Sequence, residues 1–431
     1  MRNPQGASLT WYRLDNAAKI FPCVSNAENT NVFRLVCELK EEVDPVLLQQ
    51  ALEAAVAEYP SFRMKLKKGF FWYFLEHNPA LPRVSEDDSR PCGNYYQWDN
   101  QHYLFKLSFF GRRINFEVFH VLADGSGSIR FFNYLLYQYL RLAHPEALQD
   151  ILPPPDSEAQ PSALAEDGFK RYYDRKEKSS PFIQKAYHMS GQRLPCHKIK
   201  LIQGSMPLTK VLALAREKGV SLTAYLTALL ILSVHAAMPK RRTGRSIVVN
   251  IPVDLRRLFP SYTARNFFAC IVASHRFSEE KVDFDTLVHS VSVQLQAQQK
   301  AQNLSKKINF TVATERNLLV RFIPLFLKRL ALKVAYAQTE AAFTTALSNI
   351  GRITLGEKLD AYIDHFEVVL SVSKPNPCKF GVCSFKDTLM VSYSSSLAET
   401  DIPRYFFRFL AEQGVDVVLQ TNEVAENEIL P

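Results

Sequence analysis

The tightest constraint on how this chain can fold lies in a short run about a quarter of the way along it. Residues 114–119, Ile-Asn-Phe-Glu-Val-Phe, read as an apolar strand, and His120 stands at its end. Val121-Leu122-Ala123 then lead to Asp124-Gly125, a turn-forming pair in which Gly tolerates a positive φ. A helix is predicted from about 126 to 142. A His at a strand end is held rigidly and can still face a cleft. That is the placement a general base needs, within hydrogen-bond reach of the proton it takes. Its ordinary pKa near neutrality leaves the neutral form available. The same pattern also suits a satisfied His beside an ordinary turn.

The elements around this run alternate between helices and hairpins. Asp44-Pro45 opens a helix as N-cap and first residue, and apolar residues recur at helical spacing up to Tyr59-Pro60. Strands are predicted at 62–66 and 70–75 around Lys67-Lys68-Gly69, and at 102–109 and 114–119 around Gly111-Arg112-Arg113, with a loop or irregular strand over 77–100. Pro153-Pro154-Pro155 and the charged residues 170–180 mark a connection. Beyond it, helices are predicted at 208–218, closed by Gly219, and at 222–237, 283–301, 318–337 and 402–413, with strands at 246–252 and 389–394. The expected class is α/β (or α+β) with antiparallel and mixed sheets. The expected division is an N-terminal lobe over 1–175, a connection over 176–205 and a C-terminal lobe over 206–431.

With 431 residues and 47% hydrophobic content the chain can bury a large core. The net charge of +9 suits a phosphate-bearing cofactor, an acidic carrier protein or an anionic surface. No Lys/Arg block dominates and no nucleic-acid motif occurs, so a nucleic-acid partner is not expected. The seven Cys are scattered without a C-x-x-C, which fits free thiols in a reducing cytoplasm. Residues 1–10 lack an apolar signal core, and the longest apolar stretches are broken by polar or charged residues. A soluble, cytoplasmic monomer is expected. His120 and Asp124 span a strand end and a turn with no further ligand cluster in sight, so no metal is expected. No Gly-rich phosphate loop occurs, so no bound nucleotide cofactor is expected either. Residues 318–330 are apolar with Arg and Lys interspersed, and Pro324 starts or kinks their helix. They read as a buried helix with snorkelling basic residues, or as an acceptor mouth in peripheral contact with a membrane.

Two further segments can carry chemistry. In Ile251-Pro252-Val253-Asp254-Leu255-Arg256-Arg257-Leu258, an Arg is placed to pair bidentately with a distant carboxylate, or to sit in a basic surface turn. In Ser348-Asn349-Ile350-Gly351, read as a polar turn, a hydroxyl or amide can donate to a developing oxyanion, or Asn or Gly can occupy the left-handed region.

Together, His120-x-x-x-Asp124-Gly125, the Pro252-Val253-Asp254-Leu255-Arg256 segment followed by Phe267-Phe268, and Ser348–Gly351 resemble the superfamily of chloramphenicol acetyltransferase-like and condensation-domain acyltransferases. The helix end Glu58-Tyr59-Pro60-Ser61-Phe62-Arg63 fits that resemblance, and residues 13–22 resemble bacterial alcohol acetyltransferase-like proteins in particular. Phe119 stands where condensation domains carry a second His. The resemblance implies two lobes, each a mixed sheet with flanking helices, a tunnel between them, and an element of the second lobe completing the first lobe's sheet. It implies an acyltransferase in which His120 is the general base and Asp124 and Gly125 shape its loop. It also implies that Asp124 pairs with Arg256, and that Ser348 or Asn349 faces the oxyanion. The donor it implies is acyl-CoA as a co-substrate, or an acyl carrier protein. The acceptor is an alcohol, or an amine on the condensation-like alternative; a non-catalytic relative on the same scaffold is a further alternative.

Overall fold

In a computed structural model the described residues form two large sheets, each faced by helices, and one small sheet, with the predicted strand-His-turn-helix run at the junction of the large ones. The structure describes residues 11–87, 90–93, 101–154, 161–174, 185–195, 198–242, 244–277, 283–317 and 322–422. Residues 1–10, parts of the predicted loop (88–89 and 94–100) and connection (155–160 and 175–184), Cys196 and the predicted helix start at 318–321 lie outside the described residues.

The first sheet has five strands in the order Ile363–Leu370, Val32–Leu39, Arg113–Phe119, Phe105–Phe110, Val84–Glu86. The helices Pro45–Glu58 and Gly125–Ala143 accompany it. Asp44 caps the first of these, accepting from the Val46 and Leu47 amides at 2.8 and 3.1 Å. An aromatic cluster fills this core: Phe62 stacks on Phe131 at 4.2 Å between ring centroids, and Phe116 stacks on Phe132 at 5.4 Å. Trp11–Arg13, Tyr73–His77 and Met64–Lys68 form a small separate sheet.

The second sheet has seven strands in the order Phe268–His275, Ile247–Asp254, Thr345–Arg352, Cys378–Phe385, Thr388–Ser395, Lys200–Pro207, Val418–Thr421. The helix Leu222–Ala236 is apolar on nearly every side and is buried accordingly.

Strand Ile363–Leu370 belongs to the second half of the sequence, yet it pairs antiparallel with Val32–Leu39, from Leu370 opposite Phe33 to Ile363 opposite Leu39. The second lobe thereby completes the first lobe's sheet.

Three sequence expectations change. Lys200–Pro207 begins inside the predicted connection but is a strand of the second sheet, paired on both edges. Residues 348–351 form no simple turn; they lie on strand Thr345–Arg352, bulged at Ile350, with Gly351 at φ +89°. Of the predicted helix 318–337, the described residues place a helix at Leu325–Glu340, which starts directly after Pro324. It is not the buried helix that its composition suggests: only Leu325 and Lys328 are buried in it.

Candidate active site

A cavity of about 230 Å³ opens where two parallel strands part company. Thr345 and Ala346 pair with Val249 and Asn250, and the ladder stops there. Pro252 has no N–H with which to continue it. Beyond that point Ile251–Asp254 and Ser348–Gly351 become cavity walls instead of ladder partners, and His120, Gly125, Thr223 and Phe268 close the remaining sides.

His120 reaches the cavity from the end of strand Arg113–Phe119, its amide held by the Asn31 carbonyl at 2.9 Å. Its ring sits among aromatics: Phe21 stacks on it at 4.9 Å, Phe33 meets it edge-on at 5.0 Å and Phe268 lies at 5.5 Å. Burial among these groups holds the imidazole pKa below its ordinary value, against the opposing hydrogen bond that the ring donates to Asn266 and the charge of Asp124. The neutral form therefore prevails at neutral pH.

The sequence offered no reading of Asn266, yet it decides which nitrogen of His120 is basic. Its Nδ2 donates to the His120 carbonyl at 2.9 Å and to Asp15 Oδ2 at 3.2 Å. A carbonyl can only accept, so the amide must present Oδ1 to the ring, where it lies 3.0 Å from His120 Nδ1. Nδ1 then carries the hydrogen, and Nε2 keeps its lone pair. Asp15, also unassigned from the sequence, is fully buried behind this clamp. It accepts from the Ala18 amide at 2.8 Å and lies 3.5 Å from Arg265.

Asp124 also lines the cavity, but both of its carboxylate oxygens are engaged in structural hydrogen bonds. It caps the helix Gly125–Ala143 through the Gly127 amide at 2.8 Å, and it accepts from the Phe267 amide at 2.7 Å. Arg256 meets it bidentately, Nη1 to Oδ2 at 2.9 Å and Nη2 to Oδ1 at 3.2 Å. Arg256 is held in turn by Asp254 at 2.9 Å and by the Thr263 and Arg265 carbonyls. Gly127 is required beside this pair, because a Cβ there would stand 1.9 Å from the Ala264 carbonyl oxygen.

The two oxyanion candidates separate. Asn349 spends its amide on structure: Oδ1 accepts from the Gly351 amide at 2.9 Å and Nδ2 donates to Thr223 Oγ1 at 3.1 Å. It therefore holds the bulge. Ser348 lines the same cavity and makes no side-chain hydrogen bond among the described residues. Thr223 accepts from Asn349, which leaves its own hydroxyl hydrogen for the cavity. None of the described residues of the 322–340 segment lines this cavity.

A group of Glu38, His365 and Glu367 lies apart from this cavity, close enough together to hold an ion. Arg113 is already inserted among them, paired with both Glu38 and Glu367, so the cluster is an ion-pair network.

The alcohol acetyltransferase family model matches residues 169–362, a segment that contains Arg256, Asn266, Ser348 and Asn349. No curated protein matches the sequence. Among solved structures, polyketide synthase associated protein 5 from Mycobacterium tuberculosis is similar at TM-score 0.60 and 17% identity, covering 92% of this chain and 96% of its own. TRI101 of F. sporotrichioides, solved with coenzyme A and T-2, is similar at TM-score 0.63 and 11% identity, covering 95% and 99%. The starter condensation domain of the rhizomide synthetase RzmA, solved with C8-CoA, is similar at TM-score 0.57 and 13% identity, covering 95% and 98%. The chain therefore has the fold that these structures share, and within it residues 169–362 are similar to the alcohol acetyltransferase family.

Proposed function

We propose that the protein transfers an acyl group from a CoA thioester to an alcohol hydroxyl, with His120 as general base. The observation that carries this reading is the Asn266 clamp, which leaves a neutral Nε2 available beside the cavity. The acceptor hydroxyl gives its proton to Nε2 as its oxygen attacks the thioester carbonyl. The resulting tetrahedral oxyanion needs donors, and the Ser348 hydroxyl is the candidate, with Thr223 beside it. Collapse breaks the C–S bond, and the imidazolium returns the proton to the departing thiolate. The products are an ester and a free thiol, and no covalent enzyme intermediate is needed, in contrast to a Ser-His-Asp triad.

A second cavity of about 220 Å³ shares Ser126, Asp254, Arg257 and Ile350 with the first and adds Arg130 and Arg352. Three guanidinium groups at one mouth suit the phosphates of a CoA donor. The CoA bound in TRI101 and the C8-CoA bound in the rhizomide synthetase domain support the same donor class.

The test is purified protein with acetyl-CoA and a panel of alcohols, with release of free thiol followed over time. Acceptor-dependent thiol release is expected. His120→Ala should lower it by about 10²–10⁴-fold without changing the melting temperature. Turnover by that variant above about a hundredth of wild type would remove the general-base role.

A further inference from the structure

The helix Leu325–Glu340 is apolar on the wrong side as well as the right one. Its inner face is ordinary: Leu325, Leu332 and Tyr336 pack on Cys23 and Val24 of the short helix Phe21–Val24. Its outer face carries a second stripe, Phe326, Leu327, Leu330 and Val334, at the i, i+1, i+4, i+8 spacing of one helical side, and Ile323 is exposed just before the helix. Phe326 is 67% exposed and Leu330 66%. The tip of the Met64–Lys68 and Tyr73–His77 hairpin extends the stripe: the Phe70 carbonyl accepts from the Leu325 amide at 2.9 Å, and Phe70 is itself 72% exposed. Beneath the junction Lys328 lies over the Trp72 ring at 4.1 Å and donates to the Phe71 carbonyl, which locks hairpin tip and helix into one surface.

The charges around that surface share one sign. Besides the buried Lys328, residues 64–77 and 322–340 carry Lys65, Lys67, Lys68, Arg329 and Lys333. Their only acids are Glu76, paired with Lys65 and Lys67, and Glu340 at the far helix end, engaged by Ser373 and Asn376. A protein interface favours paired polar groups at its rim and is depleted of Lys. An apolar stripe of Phe and Leu rimmed by Lys is the pattern of a segment that lies in the boundary layer of an anionic bilayer. No single helix among the described residues is long and apolar enough to cross a membrane, so the contact is peripheral.

We propose that this face, helix Leu325–Glu340 with the Phe70-Phe71 hairpin tip, docks the protein on an anionic phospholipid surface. Its inner side packs on the helix whose Phe21 stacks on His120, so two helices, Leu325–Glu340 and Phe21–Val24, stand between the docked membrane and the candidate site. The proposal does not depend on acyl transfer, and its test needs no turnover.

The probe is co-sedimentation of the full chain with phosphatidylcholine vesicles, with and without phosphatidylglycerol. The protein is expected to partition onto the phosphatidylglycerol vesicles, less so as salt rises. Lys68→Glu/Lys333→Glu should weaken that partition about tenfold or more, since each basic residue near such a surface is worth about fivefold. Phe326→Ser/Leu330→Ser should weaken it by a similar factor, and Phe70→Ser, on a different element, repeats the test if the helix variant melts early. Equal binding to neutral and anionic vesicles, or unchanged binding by variants that melt like wild type, would overturn the proposal. So would a dimer in solution that Phe326→Ser dissociates, which would assign the face to a second copy of the chain.

Discussion

At the scale of single residues, His120 owes its readiness to groups that never touch a substrate. The Asn266 amide is held by two acceptors and so cannot rotate to offer its N–H to the ring. Removing it in Asn266→Ala costs about 1–3 kcal/mol of hydrogen bonding, or roughly tenfold to a hundredfold in kcat/KM. A purely structural residue would lower the rate and leave the pH profile in place. Asn266 should also move the profile, because its hydrogen bond favours the charged imidazole. The wild-type acid limb lies below the ordinary His value, since burial holds that pKa down. Without Asn266 it should move further toward acid pH, measured as kcat/KM against pH for both proteins. Asp124 plays a different part. It accepts from a helix amide, a loop amide and Arg256 at once, all of them buried. Asp124→Asn should cost about 3–5 kcal/mol of stability, because it leaves a buried guanidinium without its counter-charge. A double-mutant cycle with Arg256→Met, read by thermal unfolding, should show strong coupling; additive losses would show that the pair contributes nothing as a pair.

At the scale of elements, the strand Ile363–Leu370 is pinned into the first sheet by a row of charges. His365, Glu38 and Arg113 are cross-strand neighbours on three successive strands. Both ring nitrogens of His365 face carboxylates, Asp364 at 2.7 Å and Glu367 at 3.1 Å, so both must donate and the ring is charged. Burial opposes that charge, but the hydrogen bonds to Glu367 and Asp364 outweigh it and hold the pKa above the ordinary value. A raised folded pKa contributes stability that is complete below about pH 6.5 and is lost as pH rises through the folded value. The melting temperature should therefore fall as pH is raised from 6.5 through mildly alkaline values, and His365→Gln should flatten that slope while lowering stability at the acid end. The sequence showed little of this strand. His120, Asp124 and Arg256 were legible because each carries a local signature: a strand end, a helix cap, a Pro-Val-Asp-Leu-Arg run. Val32–Leu39 is buried on both faces along nearly its whole length, so it lacks the alternation by which a half-exposed strand is read. Asn266 and Asp15 meet across 251 positions, and nothing local to either announces the meeting. Ser348 was found by motif, but its setting was misread, since a bulge in an inner strand carries the same Ser-Asn-Ile-Gly residues that a surface turn would.

At the scale of the whole molecule, the candidate site exists only because the two halves are interlocked. The cavity walls come from both: His120 and Gly125 from the first half, Thr223, Ile251–Asp254 and Ser348–Gly351 from the second. The loop that carries Asn266 reaches back to the first half through Ala264, whose amide donates to the Leu164 carbonyl at 2.9 Å and whose own carbonyl lies against Gly127. The crossing strand makes the dependence energetic as well as geometric. Without Ile363–Leu370, strand Val32–Leu39 would become an exposed sheet edge, and an unpaired apolar edge invites association with other chains. Glu38 and Arg113 would lose His365 and Glu367 at the same time. The first lobe cut as residues 1–175 should therefore lack a cooperative melt and aggregate, although it holds the His120-x-x-x-Asp124-Gly125 run. The full chain should instead unfold in a single transition in which near-ultraviolet and far-ultraviolet dichroism coincide. Two resolved transitions, or a monomeric 1–175 fragment with a cooperative melt of its own, would show that the strand decorates a lobe able to stand alone. The cut is informative in either direction, because the fragment contains the general-base candidate and lacks the strand, the Asn266 clamp and the Arg256 partner that give it its setting.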